Sequence, residues 1–233
     1  MKILTICPTR GRPQIFKVML DSFLTNSSKE HSTLRVYLDL DDPKKDEYLK
    51  ICTEAKISFY MMKRRTITEY FNLEFTHKHQ PSTIGMYHLS NDDFIYRTKD
   101  FDKIILEEYQ RQGPGVYYGD DLQNGSRLCT GPFICARMAK AVGYLQLPTL
   151  THLYNDNVWM AIGTQLGRLH YLPQVVIEHN HRLLKYGIPD ETYKRTNSIA
   201  MYRMDKAAFD GWVNSGKMDQ DIKKIEDKIC GKS

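Results

Sequence analysis

Apolar residues fall in short blocks along the first ninety or so positions, and the blocks alternate between two spacings. Ile3-Leu4-Thr5-Ile6-Cys7 is nearly continuous, as in a strand buried on both faces, so Lys2 to Cys7 reads as a strand ended by Pro8 and Gly11-Arg12-Pro13. From Gln14 to Leu24 the residues Ile15, Val18, Met19 and Phe23 recur at the spacing of one helical face. The same reading gives a strand over Thr33 to Leu40, a helix over Lys44 to Ala55 and a strand over Ile57 to Met62. It then gives a helix over Thr66 to Phe75 and a strand over Ile84 to Ser90, ending at Asn91-Asp92-Asp93.

Strands alternating with helices predict βαβ units around a parallel sheet. Ligands on such sheets collect beyond the carboxyl ends of the strands. Polar clusters stand at those ends: Thr9-Arg10, then Asp39, Asp41 and Asp42, then Lys63-Arg64-Arg65, then Asn91-Asp92-Asp93.

The second half is less regular. Gly115 to Tyr118 reads as a strand before Gly119-Asp120-Asp121, and Phe133 to Val142 as a strand passing into a helix. Asn155 to Leu166 reads as a helix with Val158, Ile162 and Leu166 on its buried face, and Val175 to His179 as a strand. From Lys217, Met218, Ile222, Ile225 and Ile229 share one face of an amphipathic helix, which could pack on the body or on a second subunit as a homodimer.

Composition narrows the class. The 233 residues, 41% hydrophobic and 26% charged, suit a globular chain with a sizeable core. No apolar run approaches the roughly 20 residues of a membrane span. The apolar run after Met1 stops at Pro8-Thr9-Arg10, too soon for a signal peptide, so a cytoplasmic protein without membrane insertion is expected. Cysteines at 7, 52, 129, 135 and 230 are odd in number and unpaired in spacing, which predicts buried thiols in a reducing compartment. The net charge of +5 suits an acidic substrate such as a nucleotide diphosphate and permits contact with DNA, but demands neither.

Three clusters carry candidate chemistry. Adjacent carboxylates in Asn91-Asp92-Asp93 repel one another unless a cation or donors offset them, and Mg²⁺ or Mn²⁺ would accept such oxygen ligands together with substrate phosphates. The alternative is a solvated turn. In His179-Asn180-His181 the two imidazoles are two apart on a strand and point to one side, where they could join a metal or remain surface histidines. Asp156 opens a helix, so it could cap that helix, act as a general base, or do both; Asp120-Asp121 is a rival base or a second acidic turn.

Arg10, Arg12 and Lys63-Arg64-Arg65 could neutralise phosphates, although the 63–65 run also reads as solvated charge. His77-Lys78-His79 reads as a surface loop. The chain has no GxxxxGK[ST], no GxGxxG after its first strand and no GxSxG, which argues against a P-loop nucleotidase, a dinucleotide dehydrogenase and a nucleophile-elbow hydrolase.

The order of these pieces resembles a GT-A glycosyltransferase of the family 2 type, over Lys2 to about Arg195. The resemblance rests on Pro8-Thr9-Arg10-Gly11-Arg12-Pro13, Asp39-Leu40-Asp41-Asp42 and His88-Leu89-Ser90-Asn91-Asp92-Asp93. It continues through Gly131-Pro132-Phe133, Tyr154-Asn155-Asp156-Asn157-Val158-Trp159 and Glu178-His179-Asn180-His181. Gly187 and Asp190-Glu191-Thr192-Tyr193 are similar to a segment of small, often phage-encoded members.

The resemblance implies a Rossmann-like, mostly parallel central sheet flanked by helices, with the amphipathic helix at the C-terminus. A single domain is expected, with a nucleotide-sugar half at 1–95, an acceptor half at 96–205 and a helical tail at 206–233. Asp93 is the implied metal ligand, Asp92 a support for the ribose or the metal, and His179 the residue completing the metal site, with His181 as a helper. Thr9, Arg10 and Asp41 would line the nucleotide pocket with Asp39 as the alternative to Asp41; Arg65 joins them as a phosphate contact. Asp156 is the implied base of an inverting transfer. The implied cofactors are Mn²⁺ or Mg²⁺ and a nucleotide-diphosphate sugar donor. A hydroxymethylated base in phage DNA is one expected acceptor. The rival readings are a nucleotidyltransferase on the same sheet and a non-catalytic nucleic-acid-binding module.

Overall fold

A computed structural model describes residues 1–76, 83–180 and 198–231 of the chain. The first half alternates as expected: β1 (Lys2–Thr9), α1 (Pro13–Asn26), β2 (Ser32–Asp39), α2 (Lys45–Ala55), β3 (Ser58–Met62), α3 (Ile67–Thr76) and β4 (Ile84–Leu89). Then follow β5 (Phe94–Tyr96), α4 (Phe101–Gln112), β6 (Val116–Asp120), β7 (Phe133–Cys135), α5 (Ala136–Val142), α6 (Asn155–Gln165), β8 (Leu169–His179), α7 (Ile199–Asn214) and α8 (Lys217–Ile229).

The strands form one sheet in the order β3-β2-β1-β4-β7-β6-β8-β5. Strands β1 to β4 run parallel, and so do β6 and β8. The short β7 runs antiparallel between β4 and β6, and β5 runs antiparallel along β8.

Both faces of the sheet are covered, which is why β1 reads as a continuous apolar run. Ile3 and Cys7 enter the core beneath α1, α2 and α4, while Leu4 and Ile6 enter the core beneath α3, α5 and α6. The buried face of α1 is Phe16, Met19, Leu20 and Phe23. Val18, expected inside, is exposed. It lies two positions from both Phe16 and Leu20, about 200° around the helix from each.

The C-terminal helix packs on its own chain. Ile225 and Asp221 of α8 are buried, and Asp221 accepts hydrogen bonds from the Tyr144 hydroxyl (2.8 Å) and the Trp212 indole (3.1 Å). Arg137 of α5 donates to the carbonyls of Lys228 and Ile229, a cation at the negative end of the helix. Four of the cysteines are buried as expected; Cys230 is exposed. Among the described residues no helix is long and apolar enough to cross a membrane.

Candidate functional site

Strands β1 and β4 are neighbours, so Thr9 and Asn91-Asp92-Asp93 emerge side by side at the same edge of the sheet. The Thr9 hydroxyl donates to Asp92 at 2.6 Å, and the Arg12 guanidinium pairs with the other Asp92 oxygen at 2.7 Å. The loop carrying Arg12 is gripped from α2 and its approach: Gly11 N–H donates to Asp42 (2.7 Å) and Arg12 N–H to the Tyr48 hydroxyl (2.8 Å). Tyr48 in turn lies 2.9 Å from the Thr9 hydroxyl. Burial pushes the Tyr48 phenol far above its ordinary range, so it stays neutral and serves as a fixed dipole.

Arg10 bridges Asp39 (2.9 Å) and Asp41 (2.6 Å). Its hydrogen bond holds the Asp41 carboxyl below the usual range. The two acids are not equivalent. Asp39 is buried, accepts from the Tyr70 hydroxyl of α3 and lines the cleft, whereas Asp41 stands exposed on the rim. Asp39 therefore takes the inward position that was expected first of Asp41.

Asp93 and His179 are brought together by a strand too short to read from sequence. In the antiparallel pairing of β5 with β8, Phe94 lies opposite His179, and Asn180 N–H donates to the Asp93 carbonyl at 2.9 Å. This leaves His179 Nε2 3.4 Å from the Asp93 carboxylate. Burial alone would lower the His179 pKa, but the Asp93 hydrogen bond and charge, with Asp156 and Asp121 beyond, raise it above its ordinary value. Beneath this edge His88 is fully buried, stacks on Phe133 with centroids 3.9 Å apart and meets the Tyr96 hydroxyl at 3.0 Å; that hydroxyl also meets Ser90 at 2.8 Å. Burial lowers the His88 pKa to about 3, so a neutral network braces the acidic turn.

Asp156 sits in the first turn of α6 but does not cap it. The capping position is Tyr154, in the left-handed region at φ 66°, with no side-chain cap. The Asp156 carboxylate instead accepts from Gly131 N–H at 3.3 Å. Gly131 has φ 58°, and a Cβ there would collide with the Phe94 ring, so this position requires glycine. Burial raises the Asp156 pKa to about 6, partly offset by the nearby charge of His179.

The Asp120-Asp121 pair is held within its own turn. Asp121 is buried and accepts from the N–H groups of Gln123, Asn124 and Gly125 and from the Thr130 hydroxyl. Asp120 accepts from Leu122 N–H within the same turn. They shape the loop that delivers Gly131.

Thr9, Arg10, Asp39, Arg65, Asp92, Asp93, Asp156 and His179 all line one cleft of about 300 Å³. Arg12, Arg64, Tyr70 and His152 line it too. His152, a lone histidine in a loop, had no sequence signal beyond its nearness to Asp156; burial lowers its pKa to about 4, so it is a neutral imidazole at pH 7. His77-Lys78-His79, His181 and the 187–195 segment lie outside the described residues.

Among the described residues no group of three or more His, Cys, Asp or Glu converges as a metal cage. Asp93 and His179 alone still fit a divalent cation. Their oxygen and nitrogen, 3.4 Å apart, are of the donor types such a cation takes, and a cation held by a few protein groups completes its shell with phosphate and water. Asp92 is already engaged by Thr9 and Arg12, which suits a supporting role better than a ligand's.

No family model matches the sequence, and no curated protein does. Solved structures do share the fold. S. aureus TarS aligns with TM-score 0.59 at 11% identity over 76% of this chain and 36% of TarS. TarS 1–349 in complex with UDP aligns with TM-score 0.59 at 12% identity, covering 76% of this chain and 59% of that one. The mannosyltransferase PcManGT from Pyrobaculum calidifontis, in complex with GDP-Man and Mn²⁺, aligns with TM-score 0.62 at 13% identity, covering 83% of this chain and 59% of that one. The chain thus spans between about a third and three fifths of the length of these proteins. The fold is of the Rossmann-like GT-A type, an eight-stranded mixed sheet flanked by helices.

Proposed function

We propose that the chain is a metal-dependent glycosyltransferase that moves a sugar from a nucleoside-diphosphate sugar to an acceptor hydroxyl with inversion. The observation that carries this reading is the convergence of Asp93, His179, the Arg12–Asp92 pair and Asp156 in one cleft at the carboxyl edge of a GT-A sheet. Asp93 and His179 would hold Mn²⁺ or Mg²⁺, whose charge would oppose that of the donor diphosphate. Thr9, Arg10 and Asp39 frame the nucleotide side, with Arg65 as a phosphate contact at the mouth.

Asp156 is the base. With a pKa of about 6 it is mostly ionised at pH 7 yet basic enough to accept a proton. The acceptor oxygen attacks the anomeric carbon and forms the new bond. The bond from that carbon to the diphosphate oxygen breaks, the nucleoside diphosphate leaves with the electron pair, and the hydroxyl proton passes to Asp156. One displacement inverts the anomeric centre.

For the acceptor, the reading is a hydroxymethylated base in DNA, of the phage type. It is supported by the net charge of +5 and by Arg64 and Arg65 at the cleft mouth, placed to meet phosphates. A homodimer through α8 would use its outer side, since the buried side of α8 is engaged within the chain.

A panel of nucleoside-diphosphate sugars with Mn²⁺, read by thermal shift and by nucleotide release, tests the reaction class. Stabilisation by a sugar nucleotide and its Mn²⁺-dependent turnover are expected. Full turnover by Asp93→Ala and His179→Ala proteins in the presence of a chelator would sink the proposal. A salt-sensitive mobility shift with hydroxymethylated DNA, and sugar transfer to it, tests the acceptor.

A further inference from the structure

The wall of the cleft that carries Asp156 is held from behind by α7. Asp205 of this helix is fully buried, and its carboxylate accepts three consecutive backbone N–H groups: Thr151 at 2.8 Å, His152 at 2.8 Å and Leu153 at 2.6 Å. Successive N–H groups turned toward one anion form a concave nest, and a buried carboxylate is tolerated where several donors meet it. The next residue, Tyr154, is left-handed, a conformation that is unfavourable for a bulky residue and persists only where its surroundings impose it. Its ring packs on Tyr202 (5.6 Å) and Phe209 (5.5 Å), both also from α7. Asn155 then donates back to the His152 carbonyl at 3.0 Å.

One helix thus supplies a carboxylate and two rings to four successive residues, and the fifth and sixth are Asn155 and Asp156. His152, Leu153, Tyr154, Asn155 and Asp156 all line the cleft. His152 also lines a shallower groove of about 360 Å³ with Arg64, Arg65, Thr151 and Met201, so the loop is the ridge between the two spaces. The α6 helix has no side-chain cap of its own to set this path.

We infer that Asp205 is a positioning residue for transfer: it sets the Thr151–Tyr154 turn and so holds His152 and Asp156 toward the acceptor. This rests on the glycosyltransferase reading. Donor binding uses the strand-end wall, which Asp205 does not touch, so loss of Asp205 separates binding from turnover.

The test compares Asp205→Asn, Asp205→Glu and Tyr202→Ala in the full chain. Tyr202 is half exposed, and its loss removes ring packing and the hydroxyl contact with Tyr154. The readouts are amide hydrogen exchange, binding of UDP-GlcNAc and GDP-mannose with Mn²⁺, and nucleotide release from whichever is turned over. In Asp205→Asn, faster exchange confined to 151–157, donor Kd within about twofold of wild type and turnover reduced tenfold or more are expected. Asp205→Glu should recover part of the turnover, and Tyr202→Ala should show a smaller loss of the same kind. Unchanged turnover, or donor affinity and turnover falling together with protection across the sheet, would overturn the inference. A wild-type protein that turns over no sugar nucleotide overturns the transferase reading instead. The exchange measurement needs no substrate, so unchanged exchange at 151–157 still overturns the assignment of Asp205.

Discussion

The two walls of the cleft are built by different means. The strand-end wall draws Thr9, Arg10, Arg12, Asp39 and Asp92 from the edge of a parallel sheet, and these groups neutralise one another through pairs of 2.6–2.9 Å. The opposite wall, 151–156, is irregular backbone. The N–H groups of 151–153 are met by Asp205 from a distant helix, and the Asp156 carboxylate by Gly131 N–H. A parallel sheet delivers polar strand ends to one crevice as a consequence of topology. A loop has no such guarantee and depends on partners far away in sequence. The strand-end wall should therefore be sensitive to breaking a pair, and the loop wall to shifts in geometry.

The largest effect expected is on the loop wall. Asp156→Asn keeps the shape but removes the base, and turnover should fall about 10³-fold with donor affinity retained. A loss of donor affinity of the same size would place Asp156 on the binding side and blur the contrast. On the strand-end wall, Arg12→Met takes the guanidinium away from the buried Asp92, and breaking a buried pair from one side costs about 3 kcal/mol or more. Chemical denaturation reads this, and Arg12→Met/Asp92→Asn should regain part of it.

Metal binding comes next. At a hundred times its Kd, Mn²⁺ should stabilise the wild-type protein by about 2.7 kcal/mol, and Asp93→Ala should abolish that shift. The smallest effect is in pH. Asp156 must be ionised to accept a proton, so turnover should rise with pH through an apparent pKa of about 6. Added Mn²⁺ should move this limb to lower pH, since positive charge beside a carboxylate favours its ionised form. A limb that does not respond to Mn²⁺ would argue that Asp156 and the Asp93–His179 pair do not share one site. In the same pH series Mn²⁺ affinity should weaken on acidification, because the raised pKa of His179 makes a proton compete for its ligating nitrogen.

Two elements and the first half of a third escaped the sequence reading, each for a local reason. The strand β5, Phe94–Tyr96, has only three residues, too few to establish a period. The helix α4 begins after Asp100, and its buried positions, Phe101, Asp102, Ile105 and Leu106, include a charged residue that interrupts the apolar face. In α7 the buried positions are Asp205 and Trp212, and a charged residue on the inward face breaks the apolar pattern that would reveal the helix. The missed elements are those that assemble the site: β5 brings Asp93 to His179, and α7 sets the approach to Asp156.

By itself the amino-acid sequence determined the alternation of β1 to β4 with α1 to α3 and the polar residues at their ends. Apolar periodicity is a local property, and the sheet converts it into a crevice without further instruction. Only the tertiary structure decided that Asp39 rather than Asp41 faces the cleft, that Asp121 is consumed by its own turn, and that Asp156 meets Gly131 instead of capping its helix. These outcomes depend on which buried donor reaches which carboxylate. For Asp39 and Asp156 those donors come from residues 25 to 31 positions away in the chain, where no local pattern records them.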